Sequence, residues 1–196
     1  MRINTPFFHS VGSEPVHQRT ELTLKKTETG LHFTFQCFNN PYLEFNKFTK
    51  DNDPLWQQET LEVFIAPSNH DATRYIEFQI NPNNAIFLAQ VTNPNLLGNQ
   101  NTLEMLNPEL FAINHQVIKD VENESWSGTF LLPFTLLGDD TSSYRTNIFR
   151  IIRTTPIDTF EWQCNSHNST FACWQPTNAI EKPSFHRPQS FALINF

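Results

Sequence analysis

The chain has 196 residues, with 13 lysines and arginines against 20 aspartates and glutamates, and a formal net charge of −7 at pH 7. This length favours one domain over residues 1–196 with a sizeable core. The basic residues are few and form no stripe, which argues against a nucleic-acid partner and against anionic lipid. No apolar stretch approaches the length of a membrane span.

The cysteines and the N-terminal segment bear on the cellular compartment. Cys37, Cys164 and Cys173 are too few, and odd in number, for a disulfide scaffold. The N-terminal segment MRINTPFFHSVGSEPV lacks the apolar run that the core of a signal peptide requires. Together these features predict a reduced, cytoplasmic protein.

The first strong pattern along the chain is a hairpin. Aromatic and β-branched runs broken by Pro and Asn are typical of all-β proteins, and 19 phenylalanines against 5 glycines fit that class. Residues 21–28 and 31–39 alternate like strands around a turn at Thr29 and Gly30. The apolar face of the second strand consists of Leu31, Phe33, Phe35 and Cys37. This face is predicted to lie in the core.

Three strands follow a long loop that covers residues 40–55, and a loop of that length is often functional. Their sequences are ETLEVFIAP, RYIEFQINP and AIFLAQV, and an Asn-Pro turn separates the last two. One face of the first two strands carries Leu61, Val63, Ile65, Ile76, Phe78 and Ile80, and the opposite face carries Thr60, Glu62, Phe64, Tyr75, Glu77 and Gln79. The apolar face is predicted to be the inner one.

The rest of the chain continues the β pattern. Residues 92–108 show no periodicity and are predicted to be a loop, and residues 111–121 and 125–132 form a further antiparallel pair. PFTLLG fits one helical turn, residues 147–154 form a strand, and SFALINF forms the last one. About nine or ten short strands predict an all-β, antiparallel β-sandwich, jelly-roll-like and of immunoglobulin-like size, with at most short helical turns.

No catalytic constellation is legible in the sequence. The G-x-S-x-G, Gly-rich phosphate-loop and H-E-x-x-H motifs are all absent from the chain. Glu77, Asp139 and Asp140 could form a glycosidase pair, although carboxylates of this kind are more often solvated surface charges. The sequence therefore favours a protein that is not an enzyme.

One segment has the spacing of half a zinc site. CNSHNSTFAC supplies Cys164, His167 and Cys173, and His186 could be recruited, but a second half-site with regular spacing is missing. Two ordinary thiols in or near a loop are the preferred interpretation.

Calcium and haem are the other candidate cofactors. KDNDP, with Asp51 and Asp53, could hold structural calcium, although a capped and hydrated loop is preferred. Met105 and His115 could supply an axial pair for haem, but a lone Met in a loop more often fills a gap or lies at the surface. No cofactor is therefore certain.

The tryptophans point to ligand binding through aromatic rings. Trp56 and Trp174 lie next to loops and are flanked by polar residues, whereas Trp126 alternates with strand residues and is predicted to be in the core. The flat C–H faces of sugars stack on aromatic rings while polar side chains bind the hydroxyls. A partly buried lid over the core is an equally good interpretation of Trp56 or Trp174.

Four segments together resemble the carbohydrate-binding module family 9-like group, a branch of the DOMON-like β-sandwiches. They are DPLWQQETLEVFI with RYIEFQINPNN, SWSGTFLLPFTLL, YRTNIFRIIR, and CWQPTNAIEKPSFHRPQSFALINF. Their order and spacing match from about Asp53 to the end of the chain. The resemblance implies a non-catalytic β-sandwich that binds a mono- or oligosaccharide.

The resemblance also implies a binding site. In the family, two aromatic rings sandwich a terminal sugar, and by position these rings are Trp56 and Phe185. Glu62 matches the family's acidic residue, and Gln79 stands where the family has a basic one. Arg150 could supply a guanidinium instead, or be a buried structural residue. With Trp174 and His186 added as residues that line or support the site, the predicted ligand-binding set is Trp56, Glu62, Gln79, Arg150, Trp174, Phe185 and His186.

Two alternatives stay open at this point. The chain could be an interaction or structural domain of the same fold that has lost the sugar, with an unidentified protein partner. It could also be a haem-binding DOMON-like domain. Fold similarity alone does not decide between these functions.

Overall fold

The computed structural model describes residues 1–3, 6–67, 72–138 and 142–196. In these residues thirteen strands form two sheets, and all pairs of neighbouring strands are antiparallel. The predicted antiparallel β-sandwich is confirmed.

The first sheet has five strands. In spatial order these are β1 (Arg2–Ile3), β3 (Thr20–Lys26), β4 (Gly30–Cys37), β10 (Ser125–Pro133) and β9 (His115–Asp120). The predicted hairpin is the pair β3–β4.

The second sheet has eight strands. In spatial order these are β2 (Phe8–His9), β12 (Ser169–Cys173), β11 (Ser143–Arg153), β5 (Thr60–Ala66), β6 (Arg74–Ile80), β7 (Ile86–Thr92) and β8 (Thr102–Met105), with β13 (Ala192–Asn195) paired to β11. Helical structure in the described residues is limited to α1 (Phe134–Leu137) and 3₁₀ turns at Leu43–Phe45, Leu55–Gln57, Pro108–Phe111 and Pro188–Ser190. None of these helices is long or apolar enough to cross a lipid bilayer.

The main core lies between the two sheets. The predicted apolar faces meet there, because alternating side chains of a strand point to opposite sides. Phe130 of the five-stranded sheet joins both layers: its ring lies 4.7 Å from Phe33 in the same sheet and 4.5 Å from Phe78 in the other. Trp126 is 1% exposed, as its strand pattern predicted.

The outer face of the eight-stranded sheet, which points away from the five-stranded sheet, is also covered. Every residue of β5 is buried. A second apolar cluster on this face includes Phe64, Tyr75, Phe149 and Phe191. The carboxylate of Glu77 was interpreted as a solvated surface charge, and that interpretation is wrong: Glu77 is 4% exposed. Loops and the C-terminal segment that cover this face are responsible.

Two strands lie where the sequence predicted loops. All four residues of β8 are exposed, and although Leu103 and Met105 alternate with polar residues, four residues are too few to stand out within residues 92–108. β12 contains Cys173 and lies between β2 and β11, in a segment interpreted as a loop with thiols. β12 has only five residues, and their burial does not alternate, so the period of two that is typical of a strand is not visible in its sequence.

Candidate functional site

A pocket of about 580 Å³ opens on the outer face of the eight-stranded sheet. This volume suits a small ligand. The sheet forms its floor. The walls consist of Leu103 from the edge strand β8, Trp56 from a 3₁₀ turn, and Cys164 and Phe185 from loops. A second cavity, of about 390 Å³, lies beside residues 66–67 and 136–138 and has no carboxylate among the described residues that line it.

Trp56 stands on a 3₁₀ turn that begins at Leu55, directly before β5. Leu55 is fully buried and fills the core position, which leaves Trp56 free to point outward with 41% of its surface exposed. The indole rests edge-on against Phe87, with ring centroids 5.0 Å apart. Cys164 bonds to this turn twice, through its backbone N–H to the carbonyl of Gln57 at 2.7 Å and through its thiol to the carbonyl of Trp56 at 3.1 Å.

Phe185 lines the same pocket from the C-terminal segment. Its ring stacks on Phe149 of β11, with centroids 4.4 Å apart and planes 18° apart. It also contacts Phe171 of β12 at 6.0 Å. Phe149 holds the ring in one orientation, so Phe185 is a fixed part of the wall.

His186 is locked between two strands and a loop. Its ring stacks on Phe64 at 5.0 Å, and its Nδ1 shares a 2.7 Å hydrogen bond with the hydroxyl of Tyr75. The side chain of Asn93 donates to the backbone carbonyl of His186 at 3.0 Å and accepts from the N–H of Gly98 at 3.2 Å. Burial lowers the pKa of His186 to about 4, so the ring is neutral at pH 7.

Three polar side chains lie together on the floor. Glu62 of β5 pairs across the strands with Gln79 of β6, and Glu77 is the next residue of β6 on the same face. Glu62, Glu77 and Gln79 are 2%, 4% and 0% exposed. The amide of Gln79 donates to Oε1 of Glu77 at 2.6 Å. Within the described residues, Oε1 of Glu62, Oε2 of Glu77 and Oε1 of Gln79 have no hydrogen-bond partner.

Burial shifts both carboxyl groups toward the neutral form. It raises the pKa of Glu77 to about 7, against a hydrogen bond from Gln79 that lowers it. The pKa of Glu62 is raised well above its ordinary value, first by burial and then by the charge of Glu77. Nε2 of His186 lies 3.9 Å from Oε2 of Glu77, but the neutral ring supplies no charge. The two carboxyl groups therefore share a site without a paired cation.

Arg150 lies on the other side of the sheet, which disagrees with its predicted role as a ligand residue. It alternates with Phe149 on β11, so it points into the space between the sheets and is 0% exposed. Its guanidinium donates to Thr20 Oγ1 at 2.8 Å and to the carbonyl of Arg19 at 3.3 Å, and lies 3.9 Å from Glu59. Its carboxylate neighbour is Glu59, and not Glu62 or Glu77.

Trp174 also lies away from the pocket. It follows Cys173, which packs on the outer face, and the alternation turns Trp174 toward the core between the sheets. Its backbone N–H donates to the carbonyl of Ile148 at 2.8 Å. Of the predicted ligand residues, Trp56, Glu62, Phe185 and His186 line the pocket and Gln79 lies beside Glu77 beneath it. The predicted ligand-binding set did not include Glu77, although its face of β6 was predicted correctly.

The predicted calcium loop has other partners. Asp51 accepts from the N–H of Ile86 at 3.0 Å, and Asp53 accepts from the N–H of Lys50 at 3.1 Å. These bonds match the capped loop that was the preferred interpretation. Nowhere in the described ranges do three or more His, Cys, Asp or Glu side chains form a group that could hold a metal ion.

The remaining candidates are dispersed. The thiol of Cys173 donates to the carbonyl of Phe8, far from the loop partners of Cys164. Met105 and His115, the candidate haem ligands, lie on strands of different sheets. Of the three carboxylates considered for a glycosidase pair, Asp139 and Asp140 lie outside the described residues.

Comparison with known proteins places this architecture among carbohydrate-binding folds. A carbohydrate-binding protein of Bacteroides uniformis, provisionally described as such, superposes with a TM-score of 0.71 at 14% identity, over 100% of this chain and 86% of that one. A family 9 module of Caldicellulosiruptor kristjanssonii in complex with glucose gives 0.57 at 10% identity, over 96% and 82%. The same kind of module with cellotriose gives 0.56 at 10% identity, over 98% and 80%. The chain therefore has the fold of carbohydrate-binding module family 9, as its resemblance implied; these neighbours do not show the wider DOMON-like relation.

Sequence comparison adds one relative and one correction. No family model matches the chain. An "Extracellular protein" of Arthroderma benhamiae is 26% identical over 197 residues, which cover 97% of this chain and 84% of the relative. The predicted cytoplasmic location is wrong by this comparison, because a relative over nearly the whole chain is extracellular. The prediction depended on the absence of an apolar run and on few cysteines, and neither feature identifies a compartment.

Proposed function

We propose that the chain is a non-catalytic carbohydrate-binding module that holds a mono- or oligosaccharide in the pocket on the outer face of the eight-stranded sheet. One observation carries the proposal: aromatic rings and unpartnered buried acceptors converge on one cavity of about 580 Å³. Apolar walls with a few convergent polar groups are typical of ligand sites. The fold neighbours that hold glucose and cellotriose support the same conclusion.

Each side chain has a role in this proposal. Trp56 and Phe185 stack against the faces of a sugar ring, since C–H faces favour flat aromatic surfaces. Glu62 and Glu77 accept hydrogen bonds from the hydroxyls, which supplies partners that these buried carboxyl groups lack, and Gln79 supports Glu77 from beneath. His186 completes the wall and holds the C-terminal segment through Tyr75.

The position of the carboxyl groups supports binding over hydrolysis. Glycoside hydrolases place two carboxyl groups on either side of the scissile bond. Glu62 and Glu77 project from neighbouring strands on the same face, so both approach a ligand from the floor. We therefore propose that the pair recognises hydroxyls and does not cleave a glycosidic bond. Release of product from glucoside substrates would contradict this.

An extracellular location is part of the proposal. The fungal relative is described as an extracellular protein, and extracellular polysaccharides would be accessible to a module in that compartment.

The decisive experiment is calorimetric titration with glucose and cellotriose, repeated with Trp56→Ala. We expect the variant to weaken binding by about tenfold or more, because a stacked ring is worth roughly 1–2 kcal/mol. Phe160→Ala is the matched control, since Phe160 is 51% exposed and lies outside the pocket lining.

The two variants separate binding from folding. Both are expected to unfold within a few degrees of the wild type. Unchanged sugar binding by Trp56→Ala would contradict the role of the ring. No binding of any sugar by the wild-type chain would contradict the function and favour a structural or interaction domain of the same fold.

A further inference from the structure

The floor of the pocket holds two carboxyl groups that have no cation paired with them in the described part of the chain. Glu62 and Glu77 occupy diagonal positions on adjacent strands, an arrangement that places such residues about 7–8 Å apart. Both residues are buried and line the cavity, and each has a buried oxygen that lacks a hydrogen-bond partner among the described residues. Gln79 adds a third unpartnered oxygen beside them. The floor thus offers hydrogen-bond acceptors, and its carboxyl groups can ionise fully only when a cation joins them.

The described cations do not neutralise this pair. Arg150 is on the opposite face of the sheet and lies next to Glu59. His186 is close to Glu77 but neutral at pH 7. Lys182 lines the mouth of the pocket, where it is exposed, and has no ion pair with either carboxylate. A ligand can therefore supply the missing charge.

A buried carboxylate is stabilised most by a partner that is both charged and a hydrogen-bond donor. Sugar hydroxyls donate hydrogen bonds but bring no charge. A primary ammonium brings a positive charge and three donors, which suits two carboxylates and an amide oxygen. The walls add to this preference, because Trp56 and Phe185 present ring faces that attract cations. The net charge of −7 attracts cations at longer range.

We propose that the preferred ligand of this pocket is an amino sugar, with its protonated amine held between Glu62 and Glu77 and its ring against Trp56 and Phe185. This inference rests on the proposed function of the same pocket and names the substrate class that the pocket prefers. The shared chemistry is a primary ammonium on a hydroxylated ring, either free or in a polymer with free amines.

Protonation gives the binding a characteristic pH dependence. Other groups around the pair are Tyr75, Cys164, His186 and Lys182. Burial raises the pKa of Tyr75 and, to about 12, that of Cys164, so both are neutral at pH 7. Because Glu77 has a pKa of about 7 in the free protein, a large part of this carboxyl group is already protonated at pH 7, and nearly all of it is protonated at pH 5. An ammonium ligand must then displace that proton, and its affinity falls with the pH.

The test is a calorimetric series with glucosamine, glucose, N-acetylglucosamine and cyclohexylamine at pH 7 and pH 5. Glucosamine is expected to bind about tenfold more tightly than glucose at pH 7, because a charged hydrogen bond exceeds a neutral one by roughly this factor. In N-acetylglucosamine the amine is acylated and carries no charge, so this sugar is expected to bind no more tightly than glucose. Cyclohexylamine, which lacks hydroxyls, is expected to bind more weakly than glucosamine.

Glu62→Gln and Glu77→Gln test the two carboxylates, and Glu109→Gln at an exposed site is the control. Each pocket variant is expected to reduce the ratio of glucosamine to glucose affinity by about tenfold. The control is expected to keep it. Thermal unfolding checks that all three variants fold.

The outcomes separate this inference from the proposed function. Glucose binding without any preference for glucosamine overturns the inference and leaves the function intact. Equal affinity for cyclohexylamine and glucosamine overturns the proposal that an amino sugar is the preferred ligand, and indicates a site for amines in general. Absence of binding by every sugar overturns both.

Discussion

Glu77 lies on a face that strand alternation predicted correctly, yet its environment is the opposite of the one that an outward face suggests. Alternation decides only on which side of the sheet a side chain lies. The loop around Gly98 and the C-terminal segment around His186 cover this side and bury the carboxyl group. Its pKa of about 7 follows from that cover. Burial of a charge without a paired cation costs free energy. Carboxyl groups with pKa values shifted in this way are common at binding sites.

The raised pKa of Glu77 makes stability depend on pH. The folded value of about 7 exceeds the ordinary value of 4.5, so the contribution is present below pH 4.5 and is lost as the pH rises toward 7. This direction follows from the linkage between proton binding and folding. Burial shifts Glu62 and Glu59 in the same direction. We expect the free energy of unfolding to fall between pH 4.5 and pH 7.

Glu77→Gln tests this contribution by urea unfolding at pH 5 and pH 8. The amide cannot ionise, so the variant is expected to lose less stability between these values than the wild type. Glu109→Gln controls for the removal of one negative charge at an exposed site. A variant with the same pH slope as the wild type would contradict the assignment.

At the scale of elements, the pocket depends on a contact between two loops. Gly98 has a φ of +73°, and a Cβ there would lie 2.6 Å from the carbonyl oxygen of His186. The side chain of Asn93 bonds to both loops. The sequence of residues 92–108 shows only an aperiodic stretch, because a contact between loops leaves no periodic pattern.

Gly98→Ala is expected to shift His186 and weaken sugar binding several-fold. It is also expected to lower the free energy of unfolding by roughly 2 kcal/mol, from a positive φ and a backbone overlap. Gly12→Ala is the matched control: it has a φ of +82° but nothing within 4 Å of its added Cβ. Denaturation of both variants measures the cost of a positive φ, which they share. Calorimetry shows whether the backbone overlap with His186, which only Gly98→Ala creates, weakens sugar binding. Equal effects of the two variants on sugar binding would contradict a role for the contact between Gly98 and His186.

At the scale of the whole molecule, Arg150 joins the two sheets. It belongs to β11 and donates to Thr20 of β3 across the core, beside the buried carboxylate of Glu59. Asn40 also donates to Glu59, so the group is a polar network inside an apolar sandwich. Removal of one member of such a network leaves another buried without a partner.

Arg150→Met is expected to lower the free energy of unfolding by about 3–5 kcal/mol, as for other buried pairs that lose one partner. Combination with Glu59→Gln is expected to recover part of this loss. Chemical denaturation measures both effects. Sugar affinity of the folded single variant is expected to match the wild type, since Arg150 lies on the face opposite the pocket. A variant that folds stably but no longer binds sugar would indicate that Arg150 contributes to the binding site after all.

Local patterns in the sequence were enough to predict the β class, the β3–β4 hairpin, the inner faces of β5 and β6 and the core position of Trp126, because alternation and turn residues are local. It also indicated Trp56 and Glu62 through family resemblance. That residues 1–196 form one domain stays a prediction. The packing of distant segments accounts for the rest: Glu77 lies in the pocket, while Arg150 and Trp174 point into the core. The physical reason is that burial and charge pairing depend on segments far apart in the chain, such as Trp56 and Phe185, whose meeting no local pattern records.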